Sequence, residues 1–311
     1  MKFKKELIVQ RELKSPVSEV FRTLRTNIQF MSTNKKLKTL LITSTFPGEG
    51  KSWVASNLAV TFAQAGNKVI LIDADMRKGR QYTIFRASPR PGLSNYLSGL
   101  DIDEDQELDV SRYLQKTGVD NLLLMTAGNI PPNPSELLVS SQMEKLLEDL
   151  KEATDIIIID GTPCELVTDS IILSRIVDST VIVTAYKETK KDSLDRIIKN
   201  IQQVGGHIAG VVVNKMPISV KKYNENYYYA STNGSTVETY KKDLKEGKEQ
   251  EVTQENKKEE NYKNMDVKES NVDDNSMEKP EFIKESTDIV NKRTKNILQQ
   301  MDSYLNNKKQ K

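Results

Sequence analysis

The sequence predicts a three-layer α/β fold built on a mostly parallel sheet, followed by a disordered, charged C-terminal tail. Three observations carry this. Short runs rich in β-branched residues recur between residues 39 and 214. They do not alternate apolar and polar, which is the pattern of strands covered on both faces. Helical stretches lie between them, and alternation of strand and helix builds a parallel sheet with helices on either side. One strand leads through a glycine-bearing turn and a Lys-Ser pair into a helix, "TSTFPGEGKSWVASNLA", residues 43–59. That layout cradles phosphate, and ligands in such sheets sit at the carboxyl ends of strands.

The first element is a helix. In "SPVSEVFRTLRTNIQFM" (residues 15–31) Ser15 is the N-cap and Pro16 takes the first helical position. Val17, Val20, Phe21, Leu24, Ile28 and Met31 fall on one face at helical spacing, with Glu19, Arg22 and Arg25 on the other flank. The strands follow as "TLLIT" (39–43), "KVILID" (68–73), "NLLLMT" (121–126), "DIIIID" (155–160), "TVIVTA" (180–185) and "GVVVN" (210–214). The helices between them include residues 51–65, 134–152 and 191–204. After about Asn214 the composition changes. "KKYNENYYYASTNGSTVETY" (221–240) holds five tyrosines and almost no aliphatic residues. Residues 241–280 are mostly Lys, Glu, Asn, Asp and Gln. Such a segment cannot bury enough surface to offset its ordering entropy, so it reads as disordered. Sparse apolar positions return over 282–305, where a short marginal helix is compatible with the pattern.

Composition excludes several classes of function. The chain has 311 residues, 37% hydrophobic and 29% charged, with a net charge of +2. That balance gives no electrostatic case for nucleic acid. One cysteine, Cys164, excludes an intramolecular disulfide framework and fits a reducing cytoplasm. One histidine, His207, leaves little material for a Ser-His-Asp or His-based metal site. The N-terminus has no apolar run of signal-peptide length, and runs such as "IIII" (156–159) are far too short to span a bilayer. Membrane contact would be peripheral or through a partner.

Gly48, Gly50, Lys51 and Ser52 match the back half of the phosphate loop G-x-x-x-x-G-K-[ST], with Thr45 in place of the first glycine. Glycines let backbone N–H groups approach phosphates, Lys51 can neutralise the β and γ phosphates, and Ser52 can ligate Mg²⁺. "VILIDADMR" ends one buried strand with Asp73, Asp75 and Arg77, and "DIIIIDGTP" ends another with Asp160. Singly, an Asp at a strand end is usually a cap or turn former. Several beside a phosphate loop are what Mg²⁺ on a triphosphate needs. The fold class is therefore that of a P-loop NTPase. "NKMP" (214–217) begins like the guanine-reading N-K-x-D, but Pro217 replaces the Asp. ATP is favoured, with Asn214 and Lys215 near the adenine or in a plain strand-to-loop turn. The candidate nucleotide-binding set is Pro47, Gly48, Glu49, Gly50, Lys51, Ser52 and Trp53, with Trp53 also packing the helix start.

Together these pieces resemble the bacterial tyrosine kinases (BY-kinases) of capsular and exopolysaccharide assembly, of the separate cytoplasmic CpsD/CapB type. The resemblance covers about residues 15–240. "FPGEGKS" matches the Walker A motif of that family, "ILIDADMR" its second Walker motif and "IIIIDGTP" its Walker B. "AGNIPPNPSELL" (127–138) matches a family signature, Glu19, Arg22 and Arg25 an E-x-x-R-x-x-R oligomerisation motif, and "YNENYYY" with Tyr240 a tyrosine cluster. There are departures. Gly161 stands where Walker B usually has Thr or Ser, the usual Pro and His near Gly79 and Tyr82 are missing, and residues 241–311 follow a cluster that usually ends the protein.

The resemblance implies an ATP- and Mg²⁺-dependent kinase that phosphorylates protein tyrosines, its own included. Phosphoryl transfer is mostly positioning and charge stabilisation. Lys51 would offset charge on the transferred group, Ser52, Asp75 and Asp160 would hold Mg²⁺, and Asp73 would accept the tyrosine proton. Arg77 would support the phosphates or pair with an Asp. The implied acceptors are Tyr223, Tyr227, Tyr228, Tyr229 and Tyr240. The implied partners are a membrane-spanning activator of the polysaccharide co-polymerase type and further copies of the chain in an octameric ring. The domains are then an oligomerisation helix (1–35), a kinase core (36–218), the tyrosine cluster (219–240) and the charged tail (241–311). Glu19 and Arg22 also fit a plain i,i+3 pair on an exposed helix. Two other readings stay open: a ParA/MinD-like ATPase switch, although Phe46 stands where that group has a signature lysine, and a degenerate scaffold.

Overall fold

A computed structural model of the chain describes residues 6–31, 37–99 and 109–217. The chain begins with α1 (Ile8–Arg11), α2 (Pro16–Phe30), β1 (Thr39–Ser44), α3 (Lys51–Gln64) and β2 (Val69–Asp73). It continues through α4 (Gln81–Phe85), α5 (Leu93–Ser98), a 3₁₀ turn (Val110–Tyr113), β3 (Gln115–Lys116) and β4 (Leu122–Met125). The last elements are α6 (Pro134–Val139), α7 (Ser141–Ala153), β5 (Ile156–Pro163), α8 (Asp169–Ile176), β6 (Ser179–Ala185), α9 (Lys191–Gln203) and β7 (Ile208–Asn214). The tyrosine cluster and the charged tail lie outside the described residues.

The seven strands form one sheet in the order β3-β4-β2-β5-β1-β6-β7. Every neighbouring pair is parallel except β3 and β4, which is antiparallel. The unalternating strands explain the layers. Every residue of β1, β2, β4, β5 and β6 is buried, and the two-residue pleat shares them between two cores. Leu40, Ile42, Leu71 and Ile158 join Leu58 and Phe62 of α3 on one face. Leu41, Ile70, Ile157 and Ile159 join Leu146, Leu150 and Leu173 of α7 and α8 on the other. The register then sets the site. Asp73 of β2 pairs with Asp160 of β5, and Asp160 lies opposite Ile42 of β1. Both carboxylates and the loop after β1 therefore meet at one edge of the sheet.

Helix α3 follows the loop and is buried over ten of its fourteen residues. A helix apolar on nearly all sides must sit in the core. Helix α2 covers it. Ser15 Oγ accepts from the Ser18 N–H at 3.2 Å, and Pro16 opens the helix as expected. Phe21 and Ile28 are buried, with Val17 and Leu24 packed against the same core. Phe21 meets Trp53 of α3 edge-on, with ring centroids 5.2 Å apart. Val20 and Met31 do not join that stripe; they are 53% and 54% exposed. The buried stripe runs along Phe21, Leu24 and Ile28, and residues beside it face out. The single helix expected over 134–152 is two. Ser140 is extended, with ψ 149°, and its hydroxyl donates to the Leu137 carbonyl at 2.7 Å, closing α6 before α7 starts.

Because α2 is packed as part of the core, Phe21→Ala should destabilise the chain by ~3–5 kcal/mol. Urea unfolding would measure this, and a loss below ~1 kcal/mol would show α2 to be a dispensable arm.

Candidate active site

The loop between β1 and α3 takes the conformation its glycines permit. Gly48 has φ +83° and Gly50 φ +101°, and Gly50 caps the N-terminus of α3. The free N–H groups of that helix end make a ready anion site. Glu49 is buried, and its side chain turns back to brace the loop. It accepts from the Phe46 N–H at 2.8 Å and from the Thr189 hydroxyl. Asn214, at the end of β7, donates its amide to the Glu49 carbonyl at 2.8 Å. A Cβ on Gly50 would lie 2.1 Å from that amide. Lys215 pairs with Glu188 at 2.7 Å. Neither Asn214 nor Lys215 lines the cleft that opens over the loop. Asn214 supports the loop from behind through the Glu49 carbonyl.

That cleft has a volume of about 340 Å³ and takes in Pro47, Gly48, Gly50, Lys51, Ser52 and Trp53 from the loop and α3. Asp75, Arg77, Lys78 and Arg80 line it from the segment after β2. Lys51 holds its centre. Its Nζ is 3.0 Å from Asp75 Oδ2, 3.6 Å from Asp160 Oδ1 and 3.2 Å from Ser52 Oγ. Burial alone would lower its pKa, but Asp160 and Asp75 outweigh that and hold it above the ordinary lysine value. Asp160 is fully buried, and burial raises its pKa against the pull of Lys51. Asp160 Oδ1 makes no hydrogen bond among the described residues. That oxygen, 3.6 Å from Lys51 Nζ, joins Asp75 and the Ser52 hydroxyl in an all-oxygen donor set, which fits a hard divalent cation such as Mg²⁺.

Asp73 sits deeper. It is fully buried, and its oxygens accept from the backbone N–H groups of Asp75 (3.3 Å) and Gln81 (2.9 Å). Burial and the neighbouring Asp160 push its pKa up to about 8. Arg77, expected at the phosphates or on an Asp, takes the second course. It grips Asp169 at the start of α8 through two nitrogens, at 2.9 and 3.2 Å, while Ser135 of α6 donates to the same carboxylate at 2.7 Å. Glu19 and Arg22 pair within α2, and Arg22 also reaches the Leu13 carbonyl at 2.7 Å. Arg25 turns inward and donates to the Thr61 carbonyl of α3 at 3.1 Å.

Two site residues escaped sequence reasoning. Gln81 is fully buried, and its Nε2 donates to Asp160 Oδ2 at 2.8 Å and to the Ser52 carbonyl at 3.1 Å. With its backbone N–H on Asp73, it ties both carboxylates to the phosphate loop. Ser170 is the other. Its hydroxyl accepts from the Thr162 N–H and donates to the Thr162 carbonyl, both at 2.7 Å. A Cβ at Gly161 would lie 2.3 Å from that oxygen. The Ser170 hydroxyl thus fills the space that a side chain at position 161 would need, which accounts for the glycine in Walker B.

Comparison with known proteins agrees with this geometry. The AAA domain family matches residues 37–212. CapB of Staphylococcus aureus, a candidate tyrosine-protein kinase, is 40% identical over 72% of this chain and 93% of its own length. The tyrosine-protein kinase YwqD of Bacillus subtilis is 36% identical over 74% of this chain and 93% of its own. The solved structure of the kinase domain of the Escherichia coli tyrosine kinase ETK superposes with a TM-score of 0.63 at 30% identity, covering 70% of this chain and 84% of that one.

The contact at position 161 is testable by a double-mutant cycle. Gly161→Ser alone should cost ~1–3 kcal/mol by overpacking. In a Ser170→Ala background the same change should cost less, with a coupling above ~0.5 kcal/mol; additive losses would disprove the exchange of volume. Protonation gives a second test. Folded Asp73 keeps its proton up to about pH 8, whereas an unfolded Asp releases it near ~4. The folded chain binds more protons across that window, so nucleotide-free stability should fall as pH rises from ~5 to ~8. Asp160, shifted the same way, adds to the slope. Asp73→Asn should flatten it in urea titrations across the window, and stability that rises with pH would contradict the assignment.

Proposed function

The chain belongs to the bacterial tyrosine-protein kinases of capsule and exopolysaccharide assembly, and on that footing we propose how its residues move phosphate from ATP to protein tyrosines. The observation that carries the reading is Lys51, held between Asp75 and Asp160 at the head of α3 and one strand from Asp73. ATP binds with its phosphates on the N–H groups of residues 48–52 and its terminal phosphates on Lys51. Asp75, Asp160 and Ser52 hold Mg²⁺, which supplies charge neutralisation for the β and γ phosphates. Lys51 exchanges its carboxylate partners for phosphate oxygens as nucleotide enters.

The phenolic oxygen of an acceptor tyrosine forms the new bond to the γ-phosphorus as the bond to the β-γ bridging oxygen breaks and ADP leaves. Asp73 takes the phenol proton. Asp73 acts as base only after releasing the proton that burial and Asp160 hold on it in the nucleotide-free chain. In the nucleotide-free chain Gly79 and Gln81 roof this carboxylate. A Cβ on Gly79 would lie 2.8 Å from Asp73 Oδ2. Residues 77–81 therefore lift to admit a tyrosine. The acceptors are protein tyrosines, including Tyr223, Tyr227, Tyr228, Tyr229 and Tyr240 of the chain itself. Added phosphates repel one another and release the tail from the cleft.

Among the described residues no helix is long and apolar enough to cross a membrane. We propose that the kinase works at the inner face of the membrane through a membrane-spanning activator. It assembles with further copies as an octameric ring through the α2 face bearing Glu19 and Arg22, with Arg25 holding α2 to α3 from within. A partitioning-type ATPase switch is set aside, since the relatives are named tyrosine-protein kinases.

Asp73→Asn should lower tyrosine phosphorylation by ~100-fold or more, while ATP affinity stays within a few-fold of the native chain. Lys51→Met should lose both. Intact mass and anti-phosphotyrosine signal after incubation with Mg²⁺-ATP, beside nucleotide-binding fluorescence, would measure this. Near-native phosphorylation by the Asp73 variant would remove that residue from the role of base.

A further inference from the structure

Four cations line the nucleotide cleft: Lys51, Arg77, Lys78 and Arg80. Two are engaged within the fold. Lys51 pairs with Asp75 and Asp160, and Arg77 pairs with Asp169. Lys78 and Arg80 are exposed, and neither side chain holds an ion pair or hydrogen bond among the described residues. Glu6 and Asp75 line the same cleft, and neither carboxylate pairs with these two side chains. The position of the two cations in the chain sets what they reach. Between them stands Gly79, where a Cβ would lie 2.8 Å from Asp73 Oδ2. The next residue, Gln81, donates its N–H to that same oxygen at 2.9 Å, and the Lys78 N–H is held by Asp75 Oδ1 at 2.9 Å. One free cation thus lies on each side of the residue that covers the proposed base.

An acceptor tyrosine must bring its hydroxyl to Asp73. In an extended segment, side chains two residues apart point the same way and stand ~6.6 Å apart. A carboxylate two residues before the tyrosine therefore faces the same wall as the ring, where long cationic side chains beside Gly79 can meet it. The sequence carries this pattern. Seven tyrosines follow residue 217, and four of them, Tyr227, Tyr240, Tyr262 and Tyr304, have Glu225, Glu238, Glu260 and Asp302 two positions earlier. Tyrosines of the folded core lack it: Tyr82, Tyr96, Tyr113 and Tyr186 have Arg80, Ser94, Ser111 and Thr184 there. Tyr223 has Lys221 at that position.

We propose that Lys78 and Arg80 select acceptor tyrosines by a carboxylate two residues before them, and that Tyr262 and Tyr304, outside the tyrosine cluster, are acceptors together with Tyr227 and Tyr240. The proposal rests on the tyrosine-kinase reading above and names the class of its substrate, a Glu-x-Tyr or Asp-x-Tyr segment. The transfer itself is the one set out there. What the two cations add is a choice among tyrosines of equal chemistry.

The test is site-resolved mass spectrometry of the full chain, stripped of phosphate and then incubated with Mg²⁺-ATP, which gives the initial rate at each tyrosine. Tyr262 and Tyr304 should be labelled, and Tyr223 should lag behind Tyr227. Glu238→Gln should slow Tyr240 at least ~10-fold relative to Tyr227 in the same molecule, the loss expected of one charge-assisted hydrogen bond. Because one site is compared with and without its acid, its distance from the core cancels. In a chain carrying Lys78→Ala and Arg80→Ala, Glu238→Gln should change that ratio by less than ~2-fold. Charge reversal by Lys78→Glu and Arg80→Glu should turn the order toward Tyr223. Damage to the fold would instead slow all sites together and keep their order. Unlabelled Tyr262 and Tyr304, an unslowed Tyr240 in the Glu238 variant, or a Glu238 effect that survives loss of both cations would overturn the proposal. A chain with no phosphotyrosine at any site would sink the kinase reading as well, whereas phosphorylation in an order blind to these changes would sink only the selection.

Discussion

Everything at the carboxyl edge of this sheet depends on three buried carboxylates sharing one ammonium. Asp73 and Asp160 are fully buried and Asp75 nearly so, and the cation nearest to all three is Lys51. Isolated buried charges are costly, and a fold selected for stability alone would neutralise or remove them. Here the register of β2 and β5 sets two of them abreast. Part of the cost is met by protonation, since burial raises the pKa of both paired residues, with repulsion from Asp160 adding to it at Asp73 and repulsion from Asp75 at Asp160. The remainder is a demand for more positive charge than one ammonium supplies, and Asp160 Oδ1, 3.6 Å from Lys51 Nζ, marks where it falls. Perturbed titratable groups gathered beside a phosphate loop point to function rather than to packing.

The surrounding structure holds this unstable centre in place. The phosphate loop is braced from behind by Glu49, Thr189 and Asn214, which engage the Phe46 N–H and the Glu49 side chain and carbonyl and so fix the path of the loop into α3. Gln81 connects the loop to both carboxylates. Arg77 carries the connection outward, because Asp169 and Ser135 tie the segment after β2 to α8 and α6. In the proposed reaction, movement of residues 77–81 would act on α6 and α8 through the Arg77, Asp169 and Ser135 contacts. Coupling of this kind needs only that the two arrangements differ in which hydrogen bonds they keep.

The strands and the phosphate loop were legible because they depend on local pattern. Unalternating apolar runs gave six of the seven strands within a few residues, and the short β3 at the sheet edge left no such run. Gly48, Gly50, Lys51, Ser52, Asp75 and Asp160 meet where strand ends suggested they would. What stayed hidden depends on contacts through space. Gln81 reads as an ordinary helix former, Ser170 as a helix residue, and nothing in the sequence shows that the amide nitrogen of the first donates to Asp160 or that the hydroxyl of the second fills the space at Gly161. Arg25 was placed on the outer flank of α2, yet its long side chain reaches back to the Thr61 carbonyl. The break at Ser140 was missed because the periodicity of 134–152 continues across it, and a single side-chain bond to Leu137 decides the local conformation.

The position of Asp73 sets the order of events in the proposed reaction. A base exposed to water before substrate arrives would exchange its proton with solvent and would leave the site open to hydrolysis of ATP. Here the base is roofed by Gly79 and Gln81 and carries its proton up to about pH 8 in the nucleotide-free chain. Bound Mg²⁺ would lower that proton affinity by adding positive charge next to Asp160, one of the two groups that raise it most. On that reading Asp73 would become competent as a base only with metal and nucleotide in place, and reachable only if residues 77–81 moved. Two separate conditions, one electrostatic and one steric, thus stand between ATP binding and transfer, and both arise from the burial of a single carboxylate.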